Sequence, residues 1–85
     1  MRHRATLRFW QHFDRLPANV QQLARTTIVL ARHNPKYPSV PLKKVGRFWS
    51  AGVGIHYRAL AVEQSDDLVW FWIGTHAEYE SLIKR

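Results

Sequence analysis

A chain of 85 residues that is 46% hydrophobic has the size and composition of one small packed domain, spanning 1–85, and not of a disordered segment. It has no cysteine for disulfides or a thiolate metal site, which fits a cytoplasmic protein; residues 1–6 are polar and basic, unlike a signal peptide, and no apolar run approaches the roughly 18 residues of a membrane span. Thirteen Lys and Arg against six Asp and Glu give a net charge of +7, which points to a polyanion such as RNA or DNA, or to an acidic protein, as the partner.

Phe9, Trp10, Phe13 and Leu16 recur at helical spacing from residue 7 onward, and Pro17 then marks the first turn of a second helix. From Ala18 to about His33, the residues Val20, Leu23, Ala24, Thr27, Leu30 and Ala31 make one apolar stripe opposite Gln21, Gln22, Arg25 and Arg32. These two helices form an α-hairpin, ended by Asn34-Pro35, because the residue before proline is pushed out of the α region. Residues 34–41 hold three of the four prolines and read as a loop.

Aromatic and β-branched residues then dominate four strands, 42–45, 48–53, 55–62 and 68–73, divided by turn signals at Gly46, Gly54 and Gln64-Ser65-Asp66-Asp67. The last strand is apolar at every position, the pattern of a central strand covered on both faces. Gly52 and Gly54, on either side of Val53, predict a bulge or a tight turn. Thr75 and Glu78 have the spacing of a capping box, so a short terminal helix opens there. The expected fold is α+β: a helical hairpin packed on a mainly antiparallel sheet of three to four strands, followed by a short C-terminal helix.

A helix opening at Thr75 puts His76 in its first turn and Tyr79, three residues on, on the same face. Cleaving RNA without a metal needs a base for the 2′-hydroxyl proton, an acid for the departing 5′-oxygen and fixed cations for the phosphorane. His76, Tyr79 and Arg58 meet that list, although a tyrosine at this place equally well packs its ring on the core. Arg58 shares strand parity with Leu60 and Val62, so it is either paired with a carboxylate such as Glu63 or Glu78, or open to a phosphate. Lys43, Lys44, Arg47 and Arg58 fall on neighbouring strands, where they would hold successive phosphates while Trp49 or Phe48 stacks on a base. The alternative is that the lysines protect an edge strand from pairing. Glu63, Asp66 and Asp67 read as a solvated turn. His3, His12, His33 and His56 lack the short spacings of a metal site, and no phosphate loop or nucleophile elbow is present, so no metal and no cofactor is expected.

Taken in order, the two helices joined at Leu16-Pro17, the lysine-rich strand, the run Val53-Gly54-Ile55-His56-Tyr57-Arg58-Ala59-Leu60 and the ending Gly74-Thr75-His76 resemble the RelE/ParE superfamily of bacterial toxins, over about 7–83. The most specific pieces are the Gly-x-x-Tyr-Arg strand and the Gly-Thr-His-x-x-Tyr ending, the latter similar to the YafQ and HigB branches, whose toxins cut mRNA on the ribosome. The resemblance implies a type II toxin that cleaves ribosome-bound mRNA and inhibits translation. It carries catalytic roles to His76 and Arg58, with Tyr79 less directly matched, and RNA contact to Lys43 and Lys44. Its implied partner is a cognate acidic antitoxin, held in a hetero-oligomer. Two rivals stand beside it: a ParE-like inhibitor of DNA gyrase, and a catalytically inactive nucleic-acid-binding remnant. Two departures bear on these: Gly52 stands where the family often has arginine, and the first strand is short or absent.

Overall fold

Five strands and three helices follow one another as β1 (His3–Ala5), α1 (Leu7–Phe13), α2 (Ala18–His33), β2 (Leu42–Val45), β3 (Phe48–Val53), β4 (Tyr57–Gln64), β5 (Asp67–Thr75) and α3 (His76–Ile83). The computed structural model describes residues 2–33 and 42–84; the loop expected at 34–41 lies outside them. The strands make one sheet in the order β1-β5-β4-β3-β2, antiparallel throughout except for the parallel pairing of β1 with β5.

The sheet therefore has five strands rather than three to four. The additional one, β1, is short, as its three-residue span attests, and its polar sequence hid it. It is held by paired side chains instead of an apolar face: Trp70 Nε1–H donates to His3 Nδ1 at 3.0 Å, and Arg4 reaches the Asp67 carboxylate at 3.1 Å. The helix of the first apolar run starts after Thr6, whose side chain accepts from the Phe9 N–H as an N-cap.

β5 lies between β1 and β4 and is covered on both sides. On one face α1 and α2 contribute Phe9, Phe13, Val20 and Ala24, which pack on Ala51, Val53, Ala59, Ala61, Leu68, Trp70 and Ile73. On the other, α3 brings Tyr79 and Ile83 to Leu60, Trp72, Phe48 and Phe71. In a regular strand Trp70 and Trp72 would share a face. A register shift prevents this: Leu60 pairs with Trp72 but Ala61 pairs with Trp70, so Phe71 is an extra residue that sends the two indoles to opposite sides. Of the bulge or tight turn expected at Gly52 and Gly54, the tight turn is formed, and a bulge lies in β5 instead. Gly52 is a regular member of β3, and Gly54 takes the left-handed conformation (φ +62°) of the β3–β4 turn.

The stripe by which α2 meets the sheet is rotated from the expected one. Val20, Ala24 and Ala31 are buried and Ile28 is half-buried, while Leu23 and Leu30 are exposed. Alanines at the contact let the helix axis come close to β3, whose own contact residues are Ala51 and Val53; the longer leucines are left on the flanks. Leu23 retains one tertiary role, lying against the turn at Gly54.

Gly74 is where the sheet admits no side chain. A Cβ built there would fall 2.5 Å from Cζ2 of Trp72 and 3.0 Å from a Glu78 carboxylate oxygen. Gly74→Ala should therefore destabilise the fold by about 1–3 kcal/mol through overpacking, seen as a lower denaturation midpoint together with a changed tryptophan emission from the displaced Trp72.

Candidate functional site

No loop separates β5 from α3. Thr75 closes the strand and serves as N-cap, and His76 is the first helical residue. The expected capping box is formed: Glu78 N–H donates to Thr75 Oγ1 at 3.1 Å, and Thr75 N–H donates back to the Glu78 carboxylate at 3.0 Å. The backbone N–H of Thr75, and next its hydroxyl, hold the Glu78 carboxyl below the usual carboxylate range; the nearby His12 adds to this, against an opposing effect of desolvation. A further tie fixes the helix start to the sheet, since His76 N–H donates to the His56 carbonyl at 2.8 Å.

That start brings the three expected catalytic residues together. Tyr79 is buried, with its ring centroid 5.7 Å from the His76 ring. The Arg58 guanidinium lies 5.1 Å from the Tyr79 ring, a cation–π contact. The imidazole of His76 is half exposed, with Nε2 3.7 Å from Glu80 one helical turn on.

Arg58 has glycine on both sides. Its cross-strand partners are Gly52 on β3 and Gly74 on β5, so the sheet forms a trough where its side chain lies. The guanidinium crosses Gly52 and donates from Nε to the Ser50 hydroxyl at 3.0 Å, with a second bond from Nη2 to the same oxygen. Neither carboxylate foreseen as its partner is there: Glu63 accepts from the Trp49 indole at 2.7 Å, and Glu78 is engaged with Thr75. No ion pair to Arg58 occurs among the described residues.

The basic cluster is divided by strand geometry. Lys43 pairs with Ser50 and so shares the face of Arg58 and α3, whereas Lys44 pairs with Trp49, whose neighbours Ala61 and Trp70 belong to the α1–α2 face. Adjacent strand residues point to opposite sides, which the count of lysines alone overlooks. Lys44 Nζ stands 5.3 Å over the Trp49 ring, and Trp49 is half-buried against the core. The structure therefore does not bring Lys44 or Trp49 to the surface that holds His76 and Arg58. Arg47 sits in the β2–β3 turn, its guanidinium 5.3 Å from the Phe48 ring.

Neither a protein-family model nor a curated protein sequence matches the chain. Solved structures match it over nearly its whole length. A chain of the RelB–RelE antitoxin–toxin complex from Methanococcus jannaschii superposes with a TM-score of 0.75 at 11% identity, covering 93% of this chain and 96% of that one. The isolated Escherichia coli RelE toxin gives 0.66 at 11% identity, over 98% and 96% of the two chains. This chain has the RelE-type toxin fold. YafQ from E. coli strain BL21(DE3) shares it as well, at a TM-score of 0.58 and 13% identity, with 93% and 98% coverage.

Within this RelE-type fold, the residue that the sequence did not single out is Ser50. Its signal was present: it is the only hydroxyl in the otherwise apolar run of β3, at the same parity as Gly52. What pointed away from it was composition, because a lone serine in a strand carries no motif.

The capping box supplies a test of how firmly the site is held. Thr75→Ala should lower stability by about 0.5–2 kcal/mol. Because the folded state holds the Glu78 carboxyl below its ordinary value of 4.5, its contribution is present above that pH and is lost as pH falls through the folded value. The stability gap between wild type and Thr75→Ala should accordingly be full near neutral pH and narrow below pH 4.5, measured by thermal melts across that range.

Proposed function

We propose that this chain is the toxin of a type II toxin–antitoxin pair and that it cuts mRNA on the ribosome. The observation that carries the reading is the assembly of Arg58, Tyr79 and His76 at the β5–α3 junction, with the guanidinium unpaired by any carboxylate among the described residues. Its likeness to the RelE and YafQ toxins supports the reading through fold.

The chemistry follows from what each group supplies. The 2′-oxygen of the ribose attacks the adjacent phosphorus as its proton passes to a base. The bond from phosphorus to the 5′-oxygen breaks and that oxygen takes up a proton, leaving a cyclic phosphate and a free 5′-hydroxyl. His76, half exposed at the helix start, is the group placed to transfer a proton as acid or base. Arg58 stabilises the extra negative charge of the phosphorane, and the Tyr79 ring supports both neighbours. Lys43, on the same face, holds the RNA backbone with help from Arg47 at the turn. An acidic antitoxin would cover this surface and offset a net charge of +7; a chain of the RelB–RelE antitoxin–toxin complex is among the structural neighbours.

His76→Gln should stay folded, being an exposed first-turn substitution, and should lose ribosome-dependent mRNA cleavage by about 10²–10⁴-fold. Cleavage at the wild-type rate by a folded His76→Gln protein would remove His76 from the mechanism, whereas no cleavage by the wild-type protein would leave the gyrase-inhibitor and inactive readings, which a DNA supercoiling assay separates. Tyr79→Phe should cost little, since the ring contacts survive.

The division of the lysines gives a second test. Lys43→Ala should reduce the salt dependence of RNA binding by about one phosphate contact, measured as the slope of affinity against salt concentration. Lys44→Ala, on the opposite face, should leave that slope unchanged.

A further inference from the structure

Ser50 is fully buried, and a buried hydroxyl is costly unless it is hydrogen-bonded. Its bonds come from Arg58, and their geometry decides what the arginine has left to offer. A guanidinium carries five N–H donors in a planar fork. The edge made by Nε and Nη2 is taken by Ser50 Oγ. The edge made by Nη1 and the other Nη2 hydrogen has no partner among the described residues, and it is this edge that suits two oxygens of one phosphate.

The nature of the acceptor matters as much as its place. A carboxylate in that position would orient the guanidinium equally well but cancel its charge. A serine hydroxyl is neutral, so it holds the orientation and leaves the positive charge for the substrate. Gly52 completes the device. A Cβ there would come 3.3 Å from Nη1 of Arg58, closer than ordinary contact, so the side chain would have to give way. Glycine here, where the family often carries arginine, thus leaves Arg58 room to cross to Ser50 without a shift.

Building on the nuclease reading above, we propose that Ser50 is a positioning residue, which aims Arg58 at the scissile phosphate while leaving its charge uncompensated. It acts through Arg58 and does not itself touch the reacting atoms.

The test uses Ser50→Ala and, in case a methyl group unsettles the strand, the near-isosteric Ser50→Cys, whose sulfur is a weak acceptor. Thermal melts establish folding for each. Ribosome-dependent mRNA cleavage should fall in kcat by about 10–100-fold, the scale on which a misplaced group loses rate, with KM changed much less. In an Arg58→Ala background the same Ser50 changes should cost nothing further. The Nε–H of Arg58, followed by NMR, should exchange with solvent faster once its acceptor is gone. Wild-type cleavage by either folded Ser50 variant, with Arg58→Ala inactive, would overturn the positioning role and leave the nuclease reading intact. If the wild-type protein cuts no mRNA, the nuclease reading falls, and binding of a single-stranded 2′-O-methyl RNA decides the rest. About tenfold weaker binding by Ser50→Ala would uphold the aiming of Arg58 at phosphate, and equal binding would overturn it.

Discussion

Burying β5 on both faces is the constraint on which the rest of this structure depends. A strand reading Leu68-Val69-Trp70-Phe71-Trp72-Ile73 has no side that tolerates water, so it needs cover above and below. The α1–α2 hairpin supplies one cover and α3 the other. Because α3 must fold back from the end of β5 to do this, its first turn lands next to the strand that carries Arg58. The grouping of His76, Tyr79 and Arg58 is thus a by-product of hydrophobic burial, made permanent by a capping box and by the backbone bond from His76 to His56. Large aromatic rings make this feasible in 85 residues, since each removes far more area from water than an aliphatic side chain does.

The charge of the protein is organised by the same sheet. Arg2 and Arg4 are drawn to Asp67 at the β1 edge, Arg25 lies over Phe13, and Lys44 over Trp49. These cations are structural in the sense that each has a local partner. Arg58 differs from the paired arginines in keeping its charge, and from Arg25 and Lys44 in being fixed by a buried hydroxyl as well as an aromatic face. A net charge of +7 says only that an anion is welcome; the pairing pattern says where.

Much of this was legible in the sequence because the signals were local. The capping box at Thr75 and Glu78, the glycine turns and the all-apolar final strand each follow from a few adjacent residues, and the structure has them. What escaped notice depends on register. A three-residue polar strand such as β1 exists only because Trp70 and Asp67 are across from it. The side of the sheet taken by Lys43 or Lys44 depends on strand pairing, and the burial of alanines ahead of leucines on α2 depends on how closely the helix meets β3. Ser50 belongs to the same class. Its significance lies in a cross-strand neighbour eight positions away, which no one-dimensional pattern displays.

The extra residue at Phe71 has a consequence for how such a chain can vary. Ahead of it, β5 alternates in one phase, with Trp70 toward the hairpin; beyond it the phase is reversed, with Trp72 and Gly74 toward α3. Both halves are equally apolar, so hydrophobicity does not register the switch. Losing Phe71 itself would leave both phases in place, because Trp70 and Trp72 would then be neighbours facing opposite layers in regular alternation; losing Ile73 instead would turn either Trp72 or Gly74 toward the hairpin. Chain length beyond the bulge is therefore as much a constraint on this strand as its composition. One bulky residue can replace another along β5 more readily than a residue can be gained or lost between Trp72 and Gly74.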